Sequence, residues 1–191
     1  AVTNGALKLN QATNASRVNW SAISIDLDGD DTDNFNVDVA DTVDMTVSGD
    51  ASIGFDDLLT VDGSFTLVQQ DADNLDSNLA TEFAGAKALI LNLTVAADSG
   101  NASASGSLEL IRVSNATQSW LGVEASNLDF GLDFAPVTLA VTNGALKLNQ
   151  ATNASRVDWS AITLGTTTVE VIDTVELEVS GDASIGFDDL L

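Results

Sequence analysis

Five carboxylates crowd into eight residues at Asp26, Asp28, Asp30, Asp31 and Asp33. Close like charges are unfavourable unless water or a cation screens them. Calcium takes about six to eight oxygen ligands in flexible geometry, which such a loop could supply from carboxylates and backbone carbonyls. The spacing D-x-D-G-D begins as acidic calcium loops do. It departs from an EF-hand, because Asp31 stands at the glycine position and Val37 at the position of the bidentate glutamate. Calcium is the cofactor this tip would take; the alternative is a solvated acidic tip with no ligand. Asp56-Asp57 and Asp188-Asp189, each following a phenylalanine, could hold a cation between neighbouring hairpins or form solvated turns.

Other chemistry has less to stand on. The chain has no His, Cys or Tyr, which removes the commonest general base and two nucleophiles. Its Asp pairs fall in expected turns rather than in a concave site that would separate their pKa values as a glycosidase requires, so no enzyme is expected. Trp20 and Trp159 share a face with Val18 and Val157, which reads as core packing. Trp120, at the start of an expected strand, could pack in the core or serve as an aromatic platform for glycans. The triplets beginning Asn14, Asn19, Asn92, Asn101, Asn115 and Asn153 match the glycosylation sequon, in a chain where several arise by chance. Lys8, Arg17, Lys147 and Arg156 are rare cations that should pair with carboxylates across strands.

The charge balance, 29 Asp plus Glu against 6 Lys plus Arg for a formal net charge of -23, repels phosphate backbones and anionic headgroups. Nucleic acid is not expected as a partner. No apolar run approaches the roughly 20 residues of a membrane-spanning helix, so membrane insertion is not expected either. The absence of cysteine excludes disulfides and thiolate metal sites.

What must position these residues is a repeat. AVTNGALKLNQATNASRVNWSAI at 1–23 returns at 140–162 with one change, Asn19 to Asp158, and DTVDMTVSGDASIGFDDLL at 41–59 returns as DTVELEVSGDASIGFDDLL at 173–191. The first block recurs after 139 residues and the second after 132. The chain therefore divides into 1–59, the C-terminal-like part of one repeat, and 60–191, the next repeat running to the position equivalent to Leu59. This period exceeds that of common solenoids, so each unit needs several strands of its own.

Alternation supplies those strands. Val137, Leu139 and Val141 share a face, and Asn143-Gly144 is the strongest short signal for a hairpin turn; Asn4-Gly5 repeats it. Asp62-Gly63, Ser126-Asn127 and Gly181-Asp182 are expected turns of the same kind. Leu89, Leu91, Leu93 and Val95 form a strand that leads through ADSGNASASGS to Leu108 and Leu110. Leu79 and Phe83, four apart, allow a helical turn or two within 71–86. Ile23, Ile25 and Leu27 climb to DGDDTDN, and Phe35, Val37 and Val39 return. The second copy has the same hairpin with a shorter tip at Gly165-Thr166, so the repeat folds without the acidic insertion.

GDASIGFDDLLTVDGSFTLVQQ and VTNGALKL resemble stretches of the giant, acidic, repetitive exported proteins of aquatic bacteria. The resemblance implies a long extracellular or cell-surface protein, a fibre or adhesin stalk, and carries over no catalytic residue. The expected fold is all-β: successive antiparallel hairpins forming an elongated continuous sheet or solenoid-like stack, with tandem β-sandwich domains as the alternative. Expected partners are neighbouring repeats or other copies joined end to end, through strands left unpaired at the ends. The competing function is a carbohydrate- or lipid-binding β-repeat module, and its lipid form requires an apolar face that stays open.

Overall fold

The computed structural model of the chain describes residues 1–13, 15–26, 34–55, 59–72, 75, 82–134, 137–162 and 168–187. Its strands are β1 (Val2–Leu9), β2 (Ser24–Asp26), β3 (Asn34–Asn36), β4 (Val43–Phe55), β5 (Leu59–Asp71), β6 (Lys87–Asp98), β7 (Ala102–Ser114), β8 (Ser119–Phe134), β9 (Val137–Thr152) and β10 (Leu177–Phe187). Eight of them form one open antiparallel sheet in the order β1-β4-β5-β6-β7-β8-β9-β10. The fold is all-β, in hairpin order, and β4 pairs with β5 from Val43–Gln70 to Phe55–Leu59, with one register shift between Val43 and Met45. Between β1 and β4 the chain leaves the sheet as a first arm, residues 10–42, which contains the separate β2–β3 pair. Between β9 and β10 it leaves again as a second arm, residues 153–176.

The strands are longer than the alternation suggested, because most of the expected hairpin turns lie inside them. Asn4-Gly5 falls within β1, Asp62-Gly63 within β5, Ser126-Asn127 within β8, Asn143-Gly144 within β9 and Gly181-Asp182 within β10. A type I′ turn needs positive φ at both central residues. Asn143 has φ of 54°, but Gly144 is not among the residues with positive φ. One left-handed residue shifts the register of a ladder without reversing the strand, which makes a bulge. Asparagine tolerates that conformation, and Gly144 is needed because a Cβ there would lie 2.7 Å from the Leu128 carbonyl oxygen. The reversal between β6 and β7 is shorter than the Gly/Ser/Ala-rich stretch: Gly100, at φ of 80°, turns the chain and Ala102 already begins β7. Among the described residues of 71–86 there are turns but no α-helix.

Side chains alternate between the two faces of each strand. On the arm face, Ala88 and Ile90 of β6, Ile111 and Val113 of β7 and Trp120 of β8 join Val157, Trp159, Ile162, Val169 and Val171 of the second arm in one buried cluster with Leu75 and Phe83. Elsewhere that face is polar, with Ser64, Thr94 and Ser107 aligned across β5, β6 and β7. The opposite face carries a row that crosses all eight strands: Leu7, Val47, Leu67, Leu91, Leu110, Val123, Leu148 and Leu177. Beside it run Phe65, Leu93, Leu108, Ala125, Leu146 and Val179. None of these residues belongs to the buried cluster. We call this the open face.

Candidate functional site

The β2–β3 pair is the expected hairpin, with Ser24, Ile25 and Asp26 opposite Asn36, Phe35 and Asn34. It places the half-buried Asp26 at the base of the acidic tip. Asp28, Asp30, Asp31 and Asp33 lie outside the described residues, as do Asp56-Asp57, Asp188-Asp189 and the shorter tip at Gly165-Thr166. Among the described residues no group of three or more carboxylates is placed to hold a metal ion.

The residues brought together most closely are the ones that seat the second arm. Trp159 opens the short 3-10 turn Trp159–Ala161, capped by Asp158, whose carboxylate accepts from the Ser160 amide at 3.1 Å. Its ring is fully buried and stacks on Phe83, with centroids 6.2 Å apart. Trp120 meets Phe83 edge-on at 5.1 Å, and its Nε1 donates to the Ser155 carbonyl at 3.1 Å. Trp120 is 3% exposed, so its ring packs in the core and presents no platform to a glycan. Gly122 makes room for the arm: a Cβ there would stand 2.7 Å from the Trp159 ring. Asn149 ties the arm to the sheet. Its Nδ2 donates to the Val157 and Ile172 carbonyls at 2.8 and 3.0 Å, and its Oδ1 accepts from Trp159 Nε1 at 3.2 Å.

The first arm repeats the polar frame. Asn10 Nδ2 donates to the Val18 and Ala40 carbonyls at 2.8 and 2.9 Å, the Trp20 amide bonds to Val39 as the Trp159 amide bonds to Val171, and Arg17 and Arg156 both donate through Nε to the backbone of the following Asp-Thr-Val segment. The apolar side chains are placed differently. Trp20 is 37% exposed where Trp159 is 0%, and Val18 and Ile23 are exposed where Val157 and Ile162 are buried. The sheet next to each arm explains the difference. β9 lies between β8 and β10, whereas β1, of the same sequence, pairs only with β4. The register is nevertheless conserved between the copies: Leu7 faces Val47 and Lys8 faces Thr46, as Leu146 faces Val179 and Lys147 faces Glu178.

At the other edge the asymmetry reverses. β4 is covered by β5, and Asp44 sits in a charge cluster with Arg17, Lys87 and Asp71; Lys87 Nζ lies 2.7 Å from Asp44 and 2.6 Å from Asp71. The hydrogen bond from Lys87 holds the Asp71 carboxyl below its ordinary value against the effect of burial. In the second copy no strand lies beyond β10 among the described residues, and Arg156 reaches the exposed Glu176 at 3.5 Å. The expected pairing of the cations with carboxylates across strands holds for Lys147 of β9 with Glu124 of β8, at 3.7 Å; Lys8 instead reaches Asp38 of the first arm at 2.7 Å, and Arg17 and Arg156 pair from the arms. Glu124 stands directly opposite Glu109, whose carboxyl is pushed up first by burial and then by the charges of Glu124 and Glu170.

Gly122 and the Asn10/Asn149 pair were not singled out by the sequence, and Phe83 was read there only as part of a helical turn. A glycine inside a strand signals close approach of another group, and Gly122 carried that signal. Comparison with protein-family models, curated proteins and solved structures found no match.

Proposed function

We propose that this chain is a structural repeat module of an extracellular fibre, filament or cell-surface adhesin stalk. In such an array each arm packs on the strands that precede it in its own repeat, and the sheet continues into the repeat after it. One observation carries this reading: two copies of the same strand–arm–strand unit hold the same register, and each is covered on the side where the other is bare. A repeat unit then comprises β5 to β10, six strands, because β10 is the counterpart of β4. The acidic composition favours solubility in a saline or calcium-containing medium, and the Asp26 to Asp33 tip is the place where calcium would act.

Electron microscopy of tandem chains with one, two and three repeats, with and without calcium, tests the role. Six strands at the usual spacing add about 29 Å per repeat along the sheet. Uniform rods that lengthen by this step support the reading, and rods that form only with calcium assign the joints to the acidic tips. Globular beads on a flexible string, or a step unrelated to strand spacing, would contradict it.

A further inference from the structure

Of the two rows on the open face, Val123 and Ala125 are buried, Leu7, Leu177 and Val179 are exposed and the others are half-buried, and the size and chemistry of the face identify what would fit it. Eight strands at the usual spacing, with about eight residues of each contributing, give an apolar surface on the order of 1,000 Å². That exceeds the few hundred Å² typical of the largest patch on a monomer and matches the roughly 800 Å² that each partner contributes to a stable complex. The row from Leu7 to Leu177 and the row beside it contain no ionisable group, whereas Glu109, Glu124 and Asp129 project from the arm face. Alongside the first row, Gln69, Leu89, Arg112, Leu121 and Gln150 form a third in which polar and apolar residues alternate. An apolar centre with a polar margin is the anatomy of a protein interface.

We propose that the open face is covered by the open face of a second copy of this chain. Two such sheets packed about 10 Å apart and rotated by about 30° interleave their rows as the two layers of a β-sandwich. A chain of net charge -23 is repelled by most anionic surfaces, but a second copy approaching by its neutral face keeps both acidic arm faces outside. This pairing uses the face of the sheet and not its edges, so it stands independently of the proposed fibre role. It closes at two chains, whereas edge pairing is open-ended.

Sedimentation equilibrium of the full chain at micromolar concentration tests it. The expected mass is twice 19.7 kDa, with association strengthened by salt as the mutual repulsion of the copies is screened. Leu110→Glu should give the monomer, and Thr94→Glu, at an exposed position on the arm face, should leave the dimer intact. Because Leu110→Glu could also disturb folding, single cysteines provide a second readout in a chain that has none of its own. Leu110→Cys should form a disulfide-linked dimer on mild oxidation, and Thr94→Cys should not. A monomer at every concentration, equal cross-linking by the two cysteines, or open-ended polymers indifferent to Leu110→Glu would overturn the proposal. So would a monomer that floats with phosphatidylcholine vesicles, which would identify lipid as the occupant.

Discussion

The two arms share the sequence from Asn10 to Ile23 and from Asn149 to Ile162, apart from Asn19 and Asp158, yet Trp159 is sealed from solvent and Trp20 is not. Both arms keep the same asparagine bonds and the same tryptophan amide bond to the returning chain. Local sequence therefore specifies the arm's backbone, and the adjoining strands determine its burial. β8 supplies Gly122 and Trp120, and the β5–β6 connection supplies Phe83. The polar cluster teaches the converse lesson: Asp44 has Lys87 and Asp71 because β5 and β6 follow β4, and Glu176 has, among the described residues, Arg156 and no second cation. Each copy thus displays half of the surroundings that the proposed array would give every repeat.

The sharpest way to break this comparison is to delete one tryptophan at a time. Trp159→Ala should destabilise the chain by about 3–5 kcal/mol, as expected for a large buried aromatic, and Trp20→Ala by about 1 kcal/mol or less. Denaturant titration would check both, and equal costs would show that the two arms are packed alike. Gly122→Val attacks the same contact from the sheet side. It should loosen Trp159 at a cost of about 1–3 kcal/mol and leave the fluorescence of Trp20 unchanged.

A smaller difference is expected between the carboxylates. Asp44→Asn removes an acceptor shared by Arg17 and Lys87 and should cost about 1.5–3 kcal/mol. Glu176→Gln, at an exposed and longer contact, should cost less than about 0.5 kcal/mol. The part of the cluster held by Asp71 should depend on pH in a defined sense. Its carboxyl is lowered from 3.8 in the folded chain, so that contribution is present above this value and is lost as pH falls through the folded pKa.

Glu109 should give a small effect of the opposite sign. Its carboxyl is raised above 4.5, so the folded chain holds the proton more tightly and stability declines as pH rises from the unfolded value through the folded one. Glu109→Gln should stabilise the chain at neutral pH by up to about 1 kcal/mol, the range for like charges directly opposite across strands. The gain should vanish below about pH 4.5, and thermal unfolding across that range would reveal it.

Strand identity was legible because Leu89, Leu91 and Leu93, or Val137, Leu139 and Val141, alternate without interruption. The β2–β3 hairpin was legible from the alternation on either side of its tip, whereas the matching stretch of the second copy, with Val169 and Val171, forms no strand among the described residues. Strand length was not, since Asn143-Gly144 satisfies the local requirements of a turn and of a bulge equally well, and only the partner strand selects between them. The exposure of Trp20 was also beyond local reading, because the same residues at Trp159 are buried by strands far away in sequence. The acidic tip's spacing suggests a cation on chemistry alone, with Asp26 its one described carboxylate.

The central claim is that an arm is completed by the strands that precede it in its own repeat. Hydrogen exchange on a chain in which a copy of residues 60–139 precedes Ala1, as those residues already precede Ala140, tests it most directly. The account predicts that amides of Val2–Leu9 and of the Val18 to Ile23 segment become as protected as those of 141–148 and of Val157 to Ile162. If those amides exchange as fast in the extended chain as in the original, while the second copy keeps its protection, the arm does not dock on the strands before it and the account is contradicted.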